Sequence, residues 1–212
     1  MSDEEVRIAV CLRLGCNTGL PHSCRCGVIV DNSGIHGLSC RRSAGRQARH
    51  HNLNDIVYHA LVRAGLPSIK EPSGSMKEDA RRPDGVTLVP WSSGKCLAWD
   101  ATVTDTMAFT HSNRTVHVAG SAAEFIAAAK NRKYEYLAAS KIFIPLAFET
   151  YGPICSEGIT FLEELGRRIT SISDDPRETS FLFQRLSVAV QRGNAMSVLA
   201  TFCRDTGQSF IG

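Results

Sequence analysis

The 212-residue chain carries 24 Lys and Arg against 21 Asp and Glu, a formal charge of +3, with 43% apolar and 21% charged residues. That balance suits a folded protein with a real core and excludes wholesale disorder. No apolar run approaches the roughly 18 residues of a membrane span, and Asp3, Glu4 and Glu5 stand where a secretory signal would be basic.

Residues 6–15 (VRIAVCLRLG) predict a short helix or strand. The eight cysteines, at 11, 16, 24, 26, 40, 96, 155 and 203, crowd the first forty residues, five of them there. Such crowding fits metal ligation better than a disulfide framework. Cys24 and Cys26 make one close pair; His36 and Cys40, four apart, make a second beyond a turn-forming loop. Three thiolates and one imidazole suit tetrahedral Zn²⁺, held for structure because protein fills all four positions. Cys11, Cys16 and His22 are substitute ligands, and a set of reduced, packed thiols is the competing interpretation.

From His22 to Arg63 there are six arginines and no lysine against Asp31 and Asp55, a local balance of 6 − 2 = +4. Arginine's donor fork suits phosphate. Ser43–Ala64 has helical periodicity, with Leu53, Val57, Ala60, Leu61 and Ala64 on one face and Gly65 as the stop. Its polar face, with Arg46, Arg49, His50, Asn54 and Arg63, serves either phosphate contact or plain solvation. Pro67–Pro72 is a short edge-strand candidate containing Glu71, and a turn-prone linker, Ser73–Ala80, follows.

Arg81–Val103 predicts a β-hairpin, two apolar runs separated by Ser92-Ser93-Gly94. Asp84 precedes the first strand and Asp100 ends the apolar run of the second, sixteen positions on. Hairpin pairing can bring them together, where a divalent cation would relieve the repulsion between two carboxylates. The alternative is that Asp84 belongs to a Pro-Asp-Gly turn and Asp100 only stops a strand. Thr104–His117 is a polar connection. Residues 118–140 predict the strongest helix, Lys141–Thr150 a buried strand with Pro145 marking an irregularity or edge, and Glu157–Ile169 and Arg177–Leu199 two closing helices, with 204–212 frayed.

This order is that of an α/β protein with an αβββαβ core around a central mixed sheet, preceded by a small Cys/His zinc module (residues 1–44) and followed by C-terminal helices (the second unit spanning 45–212). With Cys24-Arg25-Cys26 and His36 to Cys40, Arg49-His50, Arg82-Pro83-Asp84, Trp99-Asp100 and Lys130-Asn131-Arg132-Lys133-Tyr134, it resembles the restriction-endonuclease-like domain, of the PD-(D/E)xK superfamily, in site-specific non-LTR retrotransposon proteins. The resemblance covers roughly residues 12–150. It departs from the superfamily pattern at Thr102, where a lysine would stand; the basic residue is displaced to the following helix, as Lys133 or Lys130.

The resemblance implies a metal-dependent DNA endonuclease that nicks one strand at a time. Asp84 and Asp100 would hold Mg²⁺ or Mn²⁺, the Ala101 carbonyl would complete the shell, and Lys133 would position or deprotonate the attacking water. Tyr134 would support it, Glu71 would be an additional acid, and Arg46, Arg49 and His50 would contact DNA. It further implies a reverse transcriptase or other element-encoded domain as partner, and a nuclear location if the element is eukaryotic. A zinc-containing nucleic-acid-binding module without cleavage is the alternative function, and a structural or interaction domain the third.

Overall fold

Ser2 opens the first helix with a reciprocal capping box, its hydroxyl accepting from the Glu5 N–H while the Glu5 carboxylate accepts from the Ser2 N–H. That helix, α1 (Asp3–Leu14), ends on Gly15 in the left-handed region. The computed structural model describes residues 1–72, 82–108 and 115–202, so the linker Ser73–Ala80 and the tail 204–212 lie outside the described residues. A two-stranded ribbon, β1 (His22–Ser23) against β2 (Ile29–Val30), leads to a single helical turn, α2 (His36–Ser39).

Helix α3 (Ala44–Arg63) follows, and then the sheet: β3 (Ser68–Lys70), β4 (Gly85–Ser92), β5 (Lys95–Thr104) and β6 (Lys141–Glu149), in that spatial order. The β3–β4 and β4–β5 pairs are antiparallel, and β5–β6 is parallel across a crossover containing α4 (Ser121–Lys133). The sheet is therefore mixed. Helices α5 (Ser156–Ser173) and α6 (Glu178–Leu199) close the chain. The hairpin turn is the two-residue Ser93-Gly94, both at positive φ, as the right-handed twist of the strands requires.

Alternation along β5 sorts its side chains. Leu97, Trp99 and Ala101 enter the main core with Leu53, Val57 and Leu61 of α3, Phe161 of α5 and Leu186 of α6. Ala98 turns to the opposite face, with Val86, Tyr134 and Leu137. The strand is thus covered on both sides, which explains its near-continuous apolar run. β6 is equally apolar yet lies at the sheet edge, where Pro145, opposite Asp100, needs no ladder partner on its outer side.

Two features aim the functional elements. Glu149, fully buried at the end of β6, accepts the Ala122 and Ala123 N–H groups through Oε1, so a carboxylate caps the positive end of α4. The α4 helix stops at Lys133, short of the expected 140; Tyr134 caps it and a 3₁₀ turn, Glu135–Leu137, follows. The N-terminal segment shares a core with the last helix, Ile8, Leu12 and Leu38 packing on Ala195 and Val198 of α6.

Candidate functional site

Gly85 pairs with Trp99 and Val86 with Ala98, which leaves Asp84 just before the start of β4, next to the stretch of β5 that carries Asp100. The Asp84 N–H donates to the Trp99 carbonyl at 2.9 Å. Gly85 has to be glycine here, because a Cβ would lie 2.1 Å from the Trp99 ring. The same indole donates its N–H to Asn54 Oδ1 at 2.7 Å, and Asn54 Nδ2 reaches the Asp84 carbonyl at 3.5 Å. Asp84 Oδ2 accepts from the Ala101 N–H at 2.6 Å and meets His50 Nε2 at 3.0 Å. The hydrogen bond to Asp84 raises the pKa of His50 against a smaller opposing effect of its burial.

Asp100 is 5% exposed and saturated with donors. Lys130 Nζ donates to Oδ1 at 2.6 Å, Thr102 Oγ1 donates to the same oxygen at 3.3 Å, and the Tyr134 hydroxyl donates to Oδ2 at 2.6 Å. That hydroxyl also lies 2.7 Å from the Arg82 carbonyl, tying α4 to the residue two before Asp84. Burial first, and the Asp100 carboxylate second, push the Tyr134 phenol far above its usual pKa, so it acts as a neutral donor. Lys133 stands one shell out, its amine 3.0 Å from the Tyr134 hydroxyl.

These groups line one cavity of about 650 Å³, to which the sheet and α4 contribute Asp84, Asp100, Lys130, Lys133 and Tyr134 and the α2–α3 region contributes Arg41, Arg46 and Gln47. Arg46 and His50 both line it, as does Arg82. Arg49 departs from the expected polar face of α3: it is buried, its Nη1 bonded to Asn194 Oδ1 of α6. Burial is the main cause lowering its pKa to about 10. Asn54, expected on the same polar face, is buried as well. Glu71 is not brought to the cavity. Its side chain is exposed, its φ is +46°, and its contribution is a backbone N–H donated to the Asp84 carbonyl at 2.8 Å.

The amino-terminal cluster is a separate centre. One ligand atom each from Cys24, Cys26, His36 and Cys40 all lie within 4.8 Å of one another. Cys24 and Cys40 Sγ are 3.7 Å apart, and Cys26 Sγ is 3.2 Å from His36 Nε2. Two sulfurs at about 2.3 Å from a tetrahedral zinc stand about 3.8 Å apart, whereas a disulfide would need about 2.05 Å. The four residues can hold one zinc ion, in the chelate of hairpin β1–β2 and helical turn α2. Cys11 and Cys16 are outside the cluster, and the His22 ring stacks on Phe202 instead.

Four contributors to the carboxylate site carried little weight in the sequence: Lys130 ahead of Lys133, the Thr102 hydroxyl, Asn54, and the carbonyl of Arg82. The spacing of Lys130 and Tyr134, i and i+4 on one helix, was the signal that they converge. No family model and no curated protein matches the chain.

Proposed function

We propose that the chain is a metal-dependent DNA endonuclease with a restriction-endonuclease-like core, belonging to or derived from a retroelement protein. The single observation that supports this best is the convergence of Lys130 Nζ and Thr102 Oγ1 on Asp100 Oδ1. Thr102 occupies the position where an acid-x-lysine strand would carry its lysine, two residues on and therefore on the same face. The amine of Lys130 arrives at the same oxygen from the next helix, so the chemistry survives the change of element.

Asp84 and Asp100, with the Ala101 carbonyl, are the residues that would hold Mg²⁺ or Mn²⁺. The donor set fits a hard, oxygen-seeking ion. When bound, such an ion neutralises charge building on the phosphodiester oxygens and the leaving 3′ oxygen. The protein's own groups do the rest. The Ala101 N–H and His50 hold Asp84 Oδ2 in one orientation, and Tyr134 does the same for Asp100 Oδ2. The Lys130 amine, held on Asp100 Oδ1, would orient an attacking water there and add positive potential where the nucleophile loses its proton. The cysteine–histidine cluster, loaded with zinc, stiffens the segment that leads into α3. A partner carrying reverse transcriptase or another element-encoded activity would supply target choice, and a eukaryotic host would place the protein in the nucleus.

Supercoiled plasmid with Mg²⁺ or Mn²⁺ tests this reading. Nicked circles from the wild type, and none from Asp84→Ala or Asp100→Ala, support it. A second reading, a nucleic-acid-binding module without cleavage, is favoured by the saturation of both Asp100 oxygens by Lys130 and Tyr134. Plasmid that shifts in a gel but stays supercoiled at every divalent concentration selects that alternative.

A further inference from the structure

Arg49 is a buried cation that no carboxylate pairs among the described residues. It is 2% exposed, and its partners are neutral: the Asn194 amide oxygen and, at 3.5 Å, the Leu38 carbonyl. Its Nε is buried with no partner among the described residues. The placement is built into the packing. Gly193 lets the Arg49 stem lie directly on α6, since a Cβ there would come within 2.5 Å of Arg49 Cβ and Cγ. The side chain forms part of the wall of the 650 Å³ cavity, beside Arg41, Ser43, Arg46 and Gln47.

Burying a guanidinium among neutral groups is costly unless negative charge is supplied. Arg46 adds to that cost by repulsion, and Asp105 offsets part of it through space without bonding to the guanidinium. A tetrahedral oxyanion against this part of the cavity wall would remove both costs, and the planar donor forks of arginine match its oxygens.

We propose that the α2–α3 part of the cavity wall is a phosphate subsite, in which exposed Arg41 and Arg46 donate to the anion and Arg49 supplies a fixed buried charge. The subsite rests on the endonuclease reading for the source of its ligand: a strand lying across Asp84 and Asp100 would seat a neighbouring backbone phosphate here. Free phosphate has the same chemistry and is the other source. The carboxylates and the arginines then divide the labour within one cavity, the first for the bond that breaks and the second for holding the strand.

The experiment uses the full, zinc-loaded chain without added Mg²⁺ or Mn²⁺. Inorganic phosphate is titrated against chloride at matched ionic strength while thermal unfolding is followed, and a fluorescein-labelled 20-base-pair duplex is titrated by anisotropy. Wild-type Tm should rise with phosphate, and phosphate should displace the duplex. Arg41→Ala/Arg46→Ala changes only exposed side chains, and Arg49→Met keeps volume while deleting charge; each should weaken the phosphate response roughly tenfold. In chloride, Arg49→Met should melt at or above the wild-type temperature, because apolar replacement of a buried charge is tolerated. A lower Tm in chloride together with an undiminished phosphate response would make Arg49 a tie between α3 and α6 and overturn the subsite. So would a wild type indifferent to phosphate, or an Arg41→Ala/Arg46→Ala protein that responds normally. Stabilisation by phosphate without displacement of the duplex overturns the backbone source and leaves a free-anion site. Plasmid nicking by a chain that ignores phosphate removes the subsite alone; an arginine-dependent phosphate response in a chain that never nicks removes the endonuclease reading alone.

Discussion

Lys130 Nζ and Asp100 Oδ1 lie 2.6 Å apart, one on α4 and the other on β5. The pair is largely shielded, with side-chain exposures of 22% and 6%. Removing the amine would leave a buried carboxylate that has lost its charged partner, although Tyr134 and Thr102 still donate to it. Lys130→Ala should therefore cut nicking by about 10²-fold, in line with loss of a positioned proton-transfer group. Lys133→Ala should stay within a few-fold, since its amine reaches the Tyr134 hydroxyl rather than Asp100. Single-turnover rates on plasmid decide between them, and equal losses would mean the two lysines exchange roles.

Zinc should be present at about one equivalent per chain in protein purified without chelator. Burial holds the Cys24 thiol up to about 11, so ligation must displace its proton, and zinc affinity should rise with pH. Cys24→Ala/Cys40→Ala should abolish zinc retention and loosen the first 44 residues. Elemental analysis beside hydrogen exchange checks both; unchanged zinc content in the double variant rejects this ligand set.

His50 should titrate above an ordinary histidine while no divalent ion is added, because its protonated form donates to Asp84. The sign follows from the raised folded-state pKa. The pair's stabilisation is fully present below the unfolded value of about 6.5 and is lost as pH rises through the folded value. Adding Mg²⁺ should lower the His50 pKa, as a cation on Asp84 opposes the imidazolium. NMR titration of the ring resonances measures this, and a midpoint indifferent to Mg²⁺ would place no ion on Asp84.

Gly45→Ala should lower Tm by roughly 3–10 °C, from an overpacking cost of about 1–3 kcal/mol. The added Cβ would meet backbone, with Ser197 N at 2.5 Å and Ser197 Cα at 2.6 Å, neither of which can rotate away. Thermal unfolding followed by circular dichroism gives the answer; an unaltered midpoint would mean that α3 can slide along α6.

Much of the frame was readable from local pattern. The 3.6-residue period put Leu53, Val57, Ala60 and Leu61 on the buried face of α3, where they lie. The turn chemistry of Ser92-Ser93-Gly94 announced the hairpin, but an unbroken register from the Ser92–Lys95 pair would set Asp84 opposite Val103, and only the register shifts on either side of Pro90 bring it to the Asp100 end of β5. The ligand spacing brought Cys24, Cys26, His36 and Cys40 into one cluster. The helical period, the turn and the two close ligand pairs are short-range constraints, set by backbone geometry within a few residues; the register shifts at Pro90 are not. What only the tertiary structure decided was the assignment of polar side chains. Arg46 and Arg49 stand three apart on one helix and both line the cavity, yet Arg46 is exposed and Arg49 lies buried, because Gly193 and Asn194 of α6 make room and a partner for it. Lys130 rather than Lys133 meets Asp100 because Glu149 fixes where α4 begins, and hence which of its residues points at β5. Periodicity tells which side of an element is apolar; it carries no information about which distant element will satisfy a given charge.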